Sequence, residues 1–481
     1  MRNTSSITFC LILSLFLYYC SSPQQENTPV MEASAHEPVD SATLQAEKLY
    51  KEFCSSCHGE QMMAFADRKW KHGKERDSIR NSIVNGYVDA GMPTWGASFT
   101  DEQIDNLVDY ILKGIENVER YGFKEITLES DTFKTEDLQF ELDTIASGLK
   151  SPWGMAFLPD GDVLITDKSG KMYRVDAEGN KNEISGVPTV RYERQGGLFE
   201  VELHPDFATN KWLYLSYADI KIDNGDTLTG TAVSRYKFDN DRLSSGEKVL
   251  EGHPYSEKRH HYGGRLAFDN DGFLFVSIGD RGKRDENPQS LSSYCGKIHR
   301  INDDGSIPSD NPFVGVDTAA ASVYSYGHRN PQGMVLNTAT NRIWTNEHGP
   351  RGGDEVNLIQ KGKNFGWPVI SYGLNYDGTT FTNKLEQEGM VQPDLYWVPS
   401  IAPSGMAIVN SDRYGAWSGD MLVGSLRFKY LNRCVMEGDK IVREEILMKN
   451  IGRLRNVSVS PDGYIYVAVE SPGYVFRLMP F

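Results

Sequence analysis

Residues 324 to 355, YSYGHRNPQGMVLNTATNRIWTNEHGPRGGDE, crowd imidazole, guanidinium, amide and carboxylate groups among glycines and prolines. A packed core has no use for that mixture. Loops that converge on a ligand do, because glycine and proline fix the backbone while side chains and carbonyls point at the guest. Two clusters carry the polar groups: Gly327-His328-Arg329-Asn330-Pro331, and the run from Asn346 to Glu355. Between them lies the strand-like Arg342-Ile343-Trp344, so the pattern predicts one strand with a functional loop at each end.

A second constellation is more specific. Cys54-Ser55-Ser56-Cys57-His58 is a C-x-x-C-H run, which attaches a c-type haem through two thioethers and leaves the histidine as axial ligand. A zinc ribbon would need a second cysteine pair downstream, and no cysteine occurs between Cys57 and Cys295. A redox dithiol would leave His58 unexplained. The sixth iron ligand is expected at Met92, in the turn-rich Gly91-Met92-Pro93-Thr94-Trp95-Gly96, ahead of the amphipathic helix 101 to 115; Met62, Met63 and His72 are its rivals. C-x-x-C-H, a Met-Pro loop and a C-terminal helix within about 80 residues resemble the small class I cytochromes c.

The elements that position these groups fall into an ordered series. Met1, Arg2 and the apolar run from Ile7 to Tyr19 have the length and charge pattern of a secretory signal at 1–20. Leu17-Tyr18-Tyr19-Cys20 resembles a bacterial lipobox, with Tyr19 where a small residue is usual, so lipid anchoring at Cys20 and a periplasmic or cell-envelope location are expected. Residues 21–40 are polar and Pro-rich and suit a disordered tether. An all-α haem domain is assigned to 41–122, a linker to 123–136 and a β-rich domain to 137–481. Asp and Glu outnumber Lys and Arg, 66 against 50, and no basic run occurs, which excludes a nucleic-acid footprint. Cys295 and Cys434 are left over, and an exported chain permits either a disulfide or two free thiols.

Within 137–481 one phrase recurs six times: a hydrophobic residue, a polar turn with Pro or Asn, then an alternating strand. It reads FLPDGDVLIT, LHPDFATNKWLYLSY, FDNDGFLFVSIGD, LNTATNRIWTNE, VNSDRYGAWSGDMLVG and VSPDGYIYVAVE. Anchored on Pro159, Pro205, Asn270, Asn337, Asn410 and Pro461, the spacings are 46, 65, 67, 73 and 51, each enough for one four-stranded sheet with loops. Six units predict a six-bladed β-propeller, closed radially around a ligand funnel, with the strand from Leu138 to Ile145 completing the last blade. A β-sandwich is the rival fold.

The motifs His261-Tyr262-Gly263-Gly264-Arg265-Leu266, Gly279-Asp280, Gly327 to Gly333, Asn346 to Glu355, Lys363-Asn364-Phe365-Gly366-Trp367-Pro368 and Arg453-Leu454-Arg455 run in this order through nearly the whole β-rich domain. In that order they resemble the soluble pyrroloquinoline quinone (PQQ) glucose and aldose sugar dehydrogenases. The resemblance implies His261 as the base that takes a hydroxyl proton, with His260 as its neighbour and rival, and Asp280 as the acid that orients it. It implies PQQ held by Gln195, Arg329, Asn330, Tyr376, Arg453 and Arg455, a donor set suited to a quinone with three carboxylates. Arg329 would also stabilise negative charge on the reduced cofactor. Arg427 stands where the family often has lysine.

A Ca²⁺ ion is implied at Gly349 and Pro350 carbonyls, Glu355 and the Phe365 carbonyl, acting as a Lewis acid on the quinone. Together these expectations describe a quinohaemoprotein dehydrogenase: an aldose-type sugar oxidised at PQQ, its electrons passing through the fused haem c to an external acceptor such as a respiratory cytochrome. Two other readings remain, a calcium-dependent sugar lactonase-like propeller and a non-catalytic ligand-binding propeller attached to an electron-carrying cytochrome.

Overall fold

The computed structural model describes residues 41–54, 72–88, 92–116, 130–376 and 379–481. The expected signal, Cys20, the tether, and the haem ligands Cys57 and His58 lie outside the described residues. Among those described, no helix is long and apolar enough to cross a membrane.

Among the described residues three helices build the N-terminal domain. Helix α1 (Ser41–Leu49) runs into a π-helical turn, Tyr50–Cys54, which carries the first cysteine of the C-x-x-C-H run. Helix α2 spans Arg76–Asn85 and helix α3 Asp101–Glu116. The start of α3 is fixed by a reciprocal cap: Gln103 N–H donates to Thr100 Oγ1 at 3.2 Å, and Thr100 N–H donates to Gln103 Oε1 at 2.9 Å. Ile104, Leu107, Val108 and Ile111 recur at helical spacing on one face and are buried against Tyr50, Ile79, Ile83 and Trp95. Met92 packs at the edge of this same cluster.

The rest of the described residues form six antiparallel sheets. Their first strands are Pro152–Phe157, Leu198–Leu203, Leu266–Phe268, Pro331–Asn337, Pro403–Ile408 and Leu454–Val459. Each of these strands touches its counterpart in the next blade, and the last touches the first, closing the ring. The recurring phrases are the turns that join first to second strand in all six blades. Six hydrophobic clusters sit one at each junction between neighbouring blades, so the core is shared around the ring instead of enclosed within one sheet. A sandwich has no such arrangement.

The ring is closed by both ends of the domain. Gln139–Ala146 pairs antiparallel with the C-terminal strand Tyr474–Pro480, as expected for the strand from Leu138 to Ile145. The 123–136 linker needs correction at its end: Thr132–Lys134 pairs with Gln139 to Glu141 and adds a fifth strand to that blade. The disulfide alternative is also settled, because Cys295 and Cys434 are free, buried thiols in the cores of different blade junctions.

Along the axis Arg265 is buried and makes an ion pair with Glu200 at 2.5 Å. It also donates to the carbonyls of Gln332 and Arg455 and to Asn456 Oδ1, at 2.6 to 3.0 Å, with its guanidinium 3.9 Å from the Trp153 ring centre. Residues from four blades meet on this one side chain.

Candidate active site

The two clusters that frame 324 to 355 do not lie at opposite ends of one strand. Pro331–Asn337 and Arg342–Glu347 form a hairpin in which Pro331 pairs with Glu347. Antiparallel pairing brings Arg329, Asn330 and the loop from His348 to Gly353 to the same end of the fourth blade. A second strand hidden in the Gln332 to Asn337 run makes the difference.

At that end a cavity of about 870 Å³ is lined by Gln195, His260, His261, Asp280, Arg329, Pro350, Trp367 and Tyr376, among others. A deeper cavity of about 230 Å³, sharing Gln195, is lined by Trp153, Lys168, Asn330, Gln332, His348, Arg453, Arg455 and Glu470. Together they form a funnel of the size that holds small ligands.

His261 sits in the left-handed region, φ 54°, and its backbone N–H donates to Gln195 Oε1 at 2.7 Å. Its carbonyl lies against Gly279, where a Cβ would come within 2.4 Å, so this close approach requires glycine. The ring Nδ1 is 2.7 Å from Asp280 Oδ1. Asp280 Oδ1 also accepts from Gly282 N at 2.7 Å, and its Oδ2 accepts from Trp367 Nε1 at 2.9 Å. Burial alone would raise the Asp280 pKa. The His261 ring, Arg329 and these donors outweigh it and hold the acid at about 2. An ionised Asp280 accepts the Nδ1 proton and leaves Nε2 as the basic nitrogen. Burial, and then the Arg329 charge, lower the pKa of His261. Burial likewise lowers His260, to about 3. Among the two, His261 is the one that holds a carboxylate partner.

Arg329 is itself braced. Its N–H donates to Glu347 Oε2 at 2.5 Å and its guanidinium to the His348 carbonyl at 3.0 Å. Glu347 also meets His328 Nδ1 at 2.9 Å. In the deeper cavity Arg455 pairs with Glu470 at 2.6 Å and donates to Gln332 Oε1 at 3.0 Å, while Arg453 reaches Glu470 at 3.1 Å. Burial raises the Glu470 pKa less than the two arginines and Lys168 lower it, and it stays at about 2. Two arginines and Lys168 against one carboxylate leave surplus positive charge for an anionic guest.

Lys168, Trp153, Gln332, His348 and Glu470 are wall residues that motif reading did not single out. Superposing the six repeats supplies the missing signal, because the end of the second strand in a blade recurrently carries a group of the site: Lys168, Asp280 and Glu470 line the funnel, and Glu347 stands behind Arg329. Arg427 occupies a similar place but lies outside the lining of both cavities. Its guanidinium donates to the Ser400 carbonyl at 3.1 Å and lies 4.9 Å from the Phe428 ring centre.

The candidate calcium loop converges around Gly349. A Cβ there would meet the carbonyl oxygens of Gly352 and Gly353 at 2.2 and 2.3 Å, and Gly349 N–H is held by Asp354 at 2.8 Å. Glu355 lies across the strand pair from Glu347. Withdrawal from water and the Glu347 charge push its pKa up to about 8, and the nearby buried Asn357 Oδ1 accepts no hydrogen bond. A carboxylate lacking a counter-charge, an orphan amide oxygen and crowded carbonyls are the donor set of a hard cation. Among the described residues no group of three or more His, Cys, Asp or Glu is placed to hold a metal ion by itself, so such a site depends on neutral oxygens. Phe365 is buried and stacks on His328 at 4.7 Å.

A six-bladed propeller with a His–Asp pair and fixed cations in its funnel, joined to a cytochrome c domain, defines a class of redox enzyme. The Glucose / Sorbosone dehydrogenase family model matches residues 149–477, and the chain belongs to that family. The model for cbb3-type cytochrome c oxidase subunit III matches residues 41–111. The chain is 40% identical over 345 residues to the aldose sugar dehydrogenase YliI of Escherichia coli, covering 70% of this chain and 92% of that one. It superposes on the apo crystal structure of the Escherichia coli aldose sugar dehydrogenase with TM-score 0.68 and 38% identity, over 71% of this chain and all of the other. The PQQ-bound aldose sugar dehydrogenase of Streptomyces coelicolor gives TM-score 0.59 and 28% identity, over 71% and 98%. The chain is a sugar dehydrogenase with a fused cytochrome domain.

Proposed function

We propose that this enzyme oxidises an aldose-type sugar with PQQ and Ca²⁺ in the propeller funnel and passes the electrons through haem c to an external acceptor. The observation that carries the reading is the His261–Asp280 pair at 2.7 Å, opening into the 870 Å³ cavity beside Arg329. PQQ, when bound, supplies a two-electron acceptor for hydride, which Ca²⁺ assists by polarising its reactive carbonyl. The relative with PQQ bound supports that cofactor.

The chain's own residues do the rest. Asp280 keeps the Nδ1 proton on His261, so Nε2 accepts the substrate hydroxyl proton. Arg329 lies where charge develops and is held rigid by Glu347 and the His348 carbonyl. Gln195, Asn330 and Tyr376 shape the walls, and Arg453 and Arg455 complement carboxylates at the base. Gly349, Pro350, Glu355 and the Phe365 carbonyl are the calcium donors. In the N-terminal domain Cys54, Cys57, His58 and Met92 hold the haem. Residues 1–20 direct export, with Cys20 as the lipid anchor, and respiratory cytochromes are the class of acceptor. Supplying PQQ, Ca²⁺ and aldoses to the purified protein with an artificial dye acceptor tests the activity. Dye reduction dependent on both additions is expected; hydrolysis of sugar lactones without dye reduction would replace this reading with the lactonase one.

A further inference from the structure

The candidate calcium loop touches the haem domain. Pro350 lines the cavity that contains His261, and the next residue, Arg351, points its guanidinium at the other domain. There it pairs with Glu52 at 3.4 Å and lies 4.6 Å from the ring centre of Phe53, the residue before Cys54. Phe53 packs edge-on against Trp95 and Phe99 at 5.5 and 5.2 Å, so the contact reaches the haem-domain core. Arg351 is not a loose reach across a gap. Its backbone exchanges two hydrogen bonds with Leu374, at 3.0 and 3.1 Å, which fix the point from which the side chain extends.

A second observation stands apart from this one. Val88 belongs to the haem domain, yet it lines the same cavity as His261, Arg329 and Trp367. Its neighbour Tyr87 exchanges backbone hydrogen bonds with Met92 at 2.9 and 3.1 Å. The segment that presents the expected iron ligand therefore also presents a wall of the substrate cavity. Beside it a cleft of about 480 Å³ is lined by His72, Tyr87 and Val88 of one domain and Glu193, Arg194, Lys258 and Arg259 of the other.

We propose that Arg351 latches the haem domain over the funnel mouth, and that the docked domain, through Val88, filters substrates by size as well as carrying electrons away. The proposal rests on the sugar dehydrogenase reading. Converting one hydroxyl to a carbonyl releases two electrons and two protons. The protons go to water, and the haem iron cycles twice from ferric to ferrous, each time passing its electron to a one-electron acceptor. An undocked domain would lengthen both transfers while opening the cavity to longer sugars. The Arg351–Glu52 pair is partly exposed, so salt weakens the latch.

The test uses the full haem-loaded chain and the variants Arg351→Ala, Arg351→Lys and Glu52→Lys. Small-angle scattering of the protein without PQQ reads docking, and after loading, sugar-driven haem reduction is compared with dye reduction on a monosaccharide and on a tetrasaccharide. Arg351→Ala and Glu52→Lys are expected to enlarge the radius of gyration and to slow haem reduction by about tenfold or more, because a tethered search replaces a fixed contact. Both should keep dye reduction with the monosaccharide and gain it with the tetrasaccharide. Arg351→Lys, which keeps the charge and loses the planar stacking, should fall between, and high salt should carry the unaltered protein toward the Ala variant. Unchanged scattering together with unchanged haem reduction would overturn the latch. Absence of dye reduction from every protein would instead defeat the dehydrogenase reading, and scattering would still decide the docking.

Discussion

Asp280 holds His261 through Oδ1 at 2.7 Å while its other oxygen is occupied by Trp367 at 2.9 Å, so one buried carboxylate fixes both the tautomer and the tilt of the imidazole. Asp280→Asn preserves the shape but can no longer secure the Nδ1 proton. It should lower kcat by about 10²- to 10⁴-fold, comparable to His261→Ala, since both remove one general base. Trp367→Phe should cost less, about 10- to 100-fold, as the loss of an orienting partner does. Steady-state kinetics with a dye acceptor check the order.

The pH profile follows from the same pair. Burial and Arg329 lower the His261 pKa, so the base stays neutral below the usual histidine range. The acid limb of kcat/KM should therefore lie below about pH 6.5. Arg329→Gln removes the charge that disfavours protonation and should move the limb to higher pH. For stability the sign is the same: the unfolded chain takes up the proton first, so this contribution is lost as pH falls through about 6.5.

Glu355 and Glu347 face each other across adjacent strands, and a divalent cation between loop carbonyls and Glu355 would supply the missing counter-charge. Adding Ca²⁺ at about 100 times its Kd should stabilise the propeller by about 2.7 kcal/mol. Glu355→Gln should raise the stability of the calcium-free protein and abolish the calcium-dependent rise in Tm. Calorimetry with and without chelator reads both effects.

On the axis, Arg265→Ala leaves Glu200 buried without its cation and strips four acceptors of their donor. The loss should be about 3–5 kcal/mol. Changing Arg265 to Met while changing Glu200 to Leu should recover much of it, and denaturant titration distinguishes the two.

The propeller was legible in the sequence because each blade repeats one hairpin turn, and six irregularly spaced copies leave a ring as the natural arrangement. His261, Asp280 and Arg329 were legible because their motifs have few other uses. The hairpin hidden between the two polar clusters was not, because Gln332-Gly333 reads as the tail of the polar loop and Gln332 to Asn337 shows no polar-apolar alternation; its first three residues are all buried. Lys168 and Glu470 resemble ordinary turn charges until the ring brings separate blades together. Arg427 stands in the same repeat position, and its side chain donates to the Ser400 carbonyl. Position along the chain cannot report that choice.

The central claim is that sugar oxidation in the funnel delivers electrons to the fused haem. Stopped-flow spectroscopy of the haem, after mixing an aldose with protein loaded with PQQ and Ca²⁺, tests it most directly. The account predicts that the ferrous haem spectrum grows at a rate independent of protein concentration, only when sugar and both additions are present, and not in His261→Ala. A haem that stays ferric while bound PQQ and sugar are demonstrated would contradict it.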